Sequence, residues 1–133
     1  MPGKVAIVDD EVDISSYLVA ILEDAGYTAV AVGHTGAIVK RLLEEKPDLV
    51  ILDIVMPGVS GLSLYSSLRE HIAFSSVKLV IMSGMLASAT QNEFADLTGD
   101  PAFVPPDAFI SKPVNINDFL VMVRGLLGEQ SSF

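Results

Sequence analysis

The sequence predicts an α/β fold, a doubly wound (βα)5 domain with right-handed crossovers and helices on both faces of a parallel sheet. Two observations predict it. Short apolar runs alternate with amphipathic segments along the chain. Three of those runs are nearly continuous Val, Ile and Leu, which is how strands buried on both faces read.

The elements follow in order. Strands are expected at Val5–Val8, Thr28–Val32, Leu49–Leu52, Lys78–Met82 and Ala108–Ile110. Helices are expected at Val12–Ala25, Thr35–Glu45, Gly61–Ile72, Ala87–Leu97 and Ile116–Leu127. Gly26 stands where a left-handed C-terminal cap belongs. Pro47, after Glu44-Glu45-Lys46, blocks further helix. Asn115 precedes the last helix, and Asp118 three residues on suits an N-terminal capping arrangement. The stretch Thr98–Asp107 is too rich in Pro and Gly for helix and makes an unusually long connection before the fifth strand. There is no internal repeat, so a single domain over 1–133 is expected. Its core would run from about 4 to 127, with the polar tail 128–133 frayed.

Composition narrows the function. At 133 residues and 50% hydrophobic, the chain is globular and large enough for a core. A net charge of −9 argues against a nucleic-acid surface on this chain itself. There is no cysteine, which removes disulfides and thiolate metal sites. The two histidines, His34 and His71, have no paired spacing, so any metal would be held by oxygen, as magnesium and calcium are. No run reaches the roughly 18 uncharged apolar residues of a bilayer span. The first apolar run stops at Asp9, too short for a secretory signal. A soluble cytoplasmic chain is expected, away from the membrane.

The strand ends carry the chemistry. Val5–Val8 runs into Asp9-Asp10, Leu49–Leu52 into Asp53, Leu79–Met82 into Ser83, and Ala108–Ser111 into Lys112. Open α/β sheets bind ligands beyond the carboxyl ends of their strands. Three carboxylates, a hydroxyl and an ammonium would converge there, a set suited to a hard divalent cation and a phosphoryl group.

After the third expected strand comes Asp53-Ile54-Val55-Met56-Pro57-Gly58-Val59-Ser60-Gly61, which is D-x-x-M-P-x-x-x-G. With Asp9-Asp10, Ser83 and Lys112-Pro113, it closely resembles the receiver domain of two-component response regulators (CheY-like). The resemblance runs from Lys4 to about Leu127. It implies a flavodoxin-like three-layer sandwich with strand order 2-1-3-4-5, an order taken from the resemblance and not from the residues.

Carried over by position, the resemblance implies that Asp53 is the phosphoacceptor, a carboxylate nucleophile fed by a phosphohistidine. Asp10 resembles the direct Mg²⁺ ligand and Asp9 the neighbour that holds the ion mostly through water. Asp53 and the backbone carbonyl of Val55 would complete the set. Three crowded carboxylates repel, and a divalent ion offsets that repulsion. Lys112 resembles the ammonium that pairs with the acceptor and then with the phosphoryl group. Ser83 resembles the hydroxyl that bonds a phosphoryl oxygen, and Phe109 the switch aromatic that turns inward behind it. The Lys112-Pro113 bond is expected to be cis.

The resemblance also implies the partners: a sensor histidine kinase or phosphotransfer protein as donor, and a downstream protein target or a separate output domain as reader. Receivers commonly dimerise through the face of their last two helices, so a homodimer is a further expectation. The chain ends after the last expected helix, which fits a stand-alone receiver or one excised from a longer regulator or hybrid kinase. Beyond its own phosphorylation and dephosphorylation, no enzyme activity is expected. Val55 and Met85, two residues past Asp53 and Ser83, are apolar where polar residues can guide water. Slow phosphate loss follows, and a lifetime of only seconds after labelling would contradict it. The long connection at Thr98–Asp107 departs from the family pattern beside the usual output face.

Two other functions compete. One is a pseudo-receiver, a binding module without phosphorylation, but such domains usually lose an acid, the acceptor or the lysine, and none is lost here. The other is a Mg²⁺-dependent phosphohydrolase of the haloacid-dehalogenase type. Those enzymes carry Asp-x-Asp on the first strand, where this chain has Asp9-Asp10-Glu11.

Overall fold

The computed structural model describes residues 3–33, 37–53, 55–56, 59–83 and 106–128. Five of its strands form one sheet: β1 (Lys4–Val8), β2 (Thr28–Val32), β3 (Leu49–Asp53), β4 (Lys78–Ser83) and β5 (Ala108–Ser111). Their spatial order is β2-β1-β3-β4-β5, and every neighbouring pair is parallel. The order implied by the resemblance is the order observed.

Side chains alternate across a strand, and here the alternation divides the core in two. Ala6, Val8, Val50, Leu52, Leu79 and Ile81 face one side. They meet Ile38 and Leu42 of α2 (Ile38–Glu45) and Leu64, Tyr65 and Leu68 of α3 (Gly61–Glu70). Val5, Ile7, Leu49, Ile51, Val80 and Met82 face the other. They meet Leu18 and Leu22 of α1 (Val12–Asp24) and Phe119 and Val123 of α4 (Ile116–Leu127). Three layers result. All five residues of β3 are buried, as the unbroken apolar run required. Truncating a side chain such as Ile51 to alanine costs about 2–5 kcal/mol.

The helix ends follow local chemistry. Gly26 adopts φ 99° just after α1, the left-handed conformation glycine takes without a Cβ penalty. Lys46 closes α2 in the same region, at φ 52° and ψ 57°, before Pro47. Asn115 Oδ1 accepts from the Asp118 N–H at 3.0 Å, the expected cap of α4. Lys112-Pro113 is cis.

Some boundaries differ from expectation. The helix expected to reach Ile72 stops at Glu70. His71 is extended and its Nδ1 accepts from the Ala73 N–H at 3.1 Å, starting a separate 3-10 turn at Ile72–Phe74. Val55–Met56 and Val59–Ser60 form a short antiparallel ladder that the sequence reading did not foresee; Pro57 and Gly58 lie outside the described residues. Glu45, near the end of α2, accepts from Lys4 Nζ at 2.8 Å and ties α2 to β1. The expected helix at 87–97, most of the 98–107 connection and residues 129–133 of the tail lie outside the described residues. So do His34, Met85 and Phe103.

Candidate functional site

Sheet register brings the predicted residues to one edge. Val8 pairs with Leu52, Asp53 with Met82, and Ser83 with Ser111. The next residue after Val8 is Asp9 and the next after Ser111 is Lys112, so Asp9, Asp53, Ser83 and Lys112 all stand at the carboxyl ends of neighbouring strands. Four carboxylates gather there. Asp9, Asp10, Glu11 and Asp53 each offer an oxygen, and these oxygens all lie within 4.8 Å of one another. Asp9 and Asp53 are buried, Asp10 is half-buried and Glu11 is exposed.

Lys112 joins them. Its Nζ donates to Asp53 Oδ2 at 2.9 Å, Glu11 Oε1 at 2.9 Å and Asp9 Oδ2 at 3.1 Å. Burial by itself lowers the proton affinity of this ammonium. The hydrogen bonds to Asp53, Glu11 and Asp9, with the charge of Asp53, outweigh burial and hold it above the ordinary lysine range. Asp9 is fixed from its other side as well, Oδ1 accepting from the Glu11 N–H at 2.9 Å. A positive charge thus sits among acids that would otherwise repel at short range in a poorly solvated place.

The donor set fits a hard divalent cation. It is all oxygen, mostly carboxylate, and converges within one small volume, as magnesium and calcium sites do. A separate cleft lined by Leu42, Pro47, Phe74 and Val77 lies toward the amino ends of β3 and β4, away from this chemistry.

Comparison with known proteins decides the family. The family model for the response regulator receiver domain matches residues 5–124. The chain belongs to that family. Among relatives, this receiver is 33% identical to the response regulator Rre1 of Synechocystis, over 98% of the chain and 54% of that protein. It is 29% identical to the TorCAD operon transcriptional regulatory protein TorR of Escherichia coli O157:H7, over 96% of the chain and 51% of that protein. The chain spans about half the length of the curated relatives it matches. Among solved structures, a CheY-like receiver domain protein from Methanospirillum hungatei superposes with a TM-score of 0.72 at 28% identity, covering 98% of this chain and 97% of that one. The chemotaxis response regulator CheY4 of Vibrio cholerae superposes with a TM-score of 0.80, covering 96% of this chain and all of that one. At 19% identity CheY4 supports the fold alone.

In the receiver, Phe109 is partly buried and packs on the core face that includes Leu52, Leu64 and Ile81. It also borders a cleft with Ser111, Pro113 and Phe119 along the β5 edge. Ser83 ends β4 and Val55 lies in the short ladder after β3. Sequence reasoning missed Glu11 as a partner of Lys112. The signal was available as a third acid directly after Asp9-Asp10, but an acid at a helix start reads as a favourable dipole partner and nothing more. No helix among the described residues is long and apolar enough to cross a membrane.

Proposed function

We infer that this receiver is a phosphorylation-controlled signalling module in which Asp53 accepts the phosphoryl group. One observation carries the reading: the Lys112 ammonium is hydrogen-bonded at once to buried Asp53 and buried Asp9. An oxygen of the Asp53 carboxylate attacks phosphorus, an O–P bond forms, and the P–N bond of the donor phosphohistidine breaks. The imidazole leaves and takes a proton from solvent. Lys112 draws in the anionic phosphoryl oxygens and then pairs with them. Asp9, Asp10, Asp53 and the Val55 backbone carbonyl would hold Mg²⁺. When bound, that ion supplies neutralising charge for the transferring oxygens. Ser83 is the hydroxyl that bonds the transferred group, and Phe109 is the aromatic that responds to it.

The donor is a sensor histidine kinase or a phosphotransfer protein, and the reader is a downstream protein or an output domain. The receiver works in the cytoplasm and turns over no external substrate. Its single domain spans 1–133. Borohydride reduction tests the acceptor, because it converts an aspartyl phosphate to homoserine. After acetyl phosphate treatment, peptide sequencing should place homoserine at position 53. Homoserine at another aspartate contradicts the assignment.

A further inference from the structure

Glu11 is held in the acid pocket by contacts that the proposed chemistry does not use. It stands at the N-cap of α1, with φ −86° and ψ 100°, yet its side chain makes no capping bond. Its carboxylate turns to Lys112 instead, Oε1 accepting from Nζ at 2.9 Å. Its backbone N–H meanwhile braces Asp9. An ammonium has three N–H donors, and here Asp53, Glu11 and Asp9 each accept from it. A phosphoryl group on Asp53 brings three strong acceptor oxygens to the same place. The Asp53 carboxylate itself becomes the acyl phosphate, and the ammonium meets more than one phosphoryl oxygen only by releasing a second carboxylate. Side-chain exposure says which: Glu11 is 56% exposed, against 0% for Asp9. Water re-solvates a released Glu11, whereas a released Asp9 stays buried with its Oδ2 short of the Lys112 donor.

We propose that Glu11 is a positioning residue that restrains Lys112 in the free receiver and yields it to the incoming phosphoryl group, so that Glu11 slows phosphate acceptance. The inference rests on Asp53 being the acceptor. The restraint has two components. Glu11 occupies one donor of the ammonium, and its charge repels an anionic phosphodonor at a range that salt screens. The hydrogen bond acts on the free protein and not on the phosphorylated one, where Glu11 has let go and solvent and salt screen its charge. Acceptance and loss of phosphate therefore respond differently to its removal.

The test compares initial labelling rates by intact mass, with acetyl phosphate and Mg²⁺, for wild type, Glu11→Gln and Asp53→Asn, and then follows loss after the donor is removed. Glu11→Gln should accept phosphate about two- to fivefold faster, the scale of an exposed ion pair. The gap should narrow as salt rises, and the loss rate should stay unchanged. Equal or slower acceptance overturns the inference, as does an equal change in both rates. A second readout guards against a folding defect in the variant. In ¹⁵N-lysine NMR of the wild type, the Lys112 Nζ signal should move when beryllium fluoride and Mg²⁺ are added, and Glu11→Gln should shift it before any addition. A Lys112 signal indifferent to Glu11→Gln overturns the inference alone. A wild type that neither labels nor responds to beryllium fluoride overturns the acceptor reading, and the inference with it.

Discussion

Lys112 and Asp53, 59 positions apart in the chain, meet at 2.9 Å between Nζ and Oδ2, with Asp9 on the same ammonium. Neither carboxylate has an exposed side chain. The cation is therefore the group that lets two acids be buried together, and this makes it as much a structural residue as a chemical one.

Replacing Lys112 by Met removes that charge and its three hydrogen bonds. Bonds to charged groups carry about 1.5–3 kcal/mol each, and the relaxed pocket recovers part of the loss. A destabilisation of about 3 kcal/mol is expected by urea unfolding. Saturating Mg²⁺ should return part of it, because an ion bound only by the folded state stabilises by mass action. An unchanged midpoint, or a deficit indifferent to Mg²⁺, would contradict the assignment of the pocket.

Asp107 secures the opposite end of β5. Its Oδ2 accepts from the Leu79 N–H at 2.8 Å and its own N–H donates to the Leu79 carbonyl at 2.8 Å. Arg69 of α3 reaches the same carboxylate at 3.4 Å. Asp107→Ala leaves the Leu79 N–H without that acceptor, and a loss of about 1–3 kcal/mol is expected. Hydrogen exchange should rise first at β5 and the start of β4. Protection there equal to wild type would show that the clamp contributes nothing.

Ser15 presents the reverse case. It is 3% exposed on α1, and its Oγ has no hydrogen-bond partner among the described residues. Ser15→Ala removes an unsatisfied hydroxyl and gains helix propensity, so stability should rise by about 1 kcal/mol. A lower thermal midpoint in the variant would mean that the hydroxyl is satisfied in solution.

The Tyr65 phenol gives an alkaline signature. Burial raises its pKa above the ordinary tyrosine value, while the Arg69 hydrogen bond and charge pull the other way and Asp107 adds to the rise. A raised folded-state pKa means that, as pH climbs past about 10, the unfolded chain loses the proton before the folded one does. The stability linked to Tyr65 is therefore complete below about pH 10 and is lost as pH rises through the folded value. Wild type should lose stability more steeply than Tyr65→Phe above that point. Parallel curves for the two proteins would remove Tyr65 as the cause.

The sheet and the convergence of Asp9, Asp10, Asp53 and Lys112 were legible because both depend on short-range pattern. Unbroken apolar runs mark doubly buried strands, and parallel pairing then puts their ends at one edge. What the pattern could not carry was partner choice between distant side chains. Lys4 and Glu45 lie 41 positions apart, Lys112 and Glu11 101 apart, and no local signal links them. Local competition hid the rest. Ile72 continues the apolar spacing of α3, yet His71 ends that helix by bonding the Ala73 N–H through its own ring. Lys46 gives no sequence sign of its left-handed backbone, because a lysine there reads simply as a helix end before Pro47.

The most direct measurement is intact mass after incubation with acetyl phosphate, with Mg²⁺ and with EDTA, for wild type and Asp53→Asn. One added phosphoryl group is expected in wild type, dependent on Mg²⁺ and absent from Asp53→Asn. A phosphoryl group retained by Asp53→Asn, or labelling indifferent to EDTA, would contradict it.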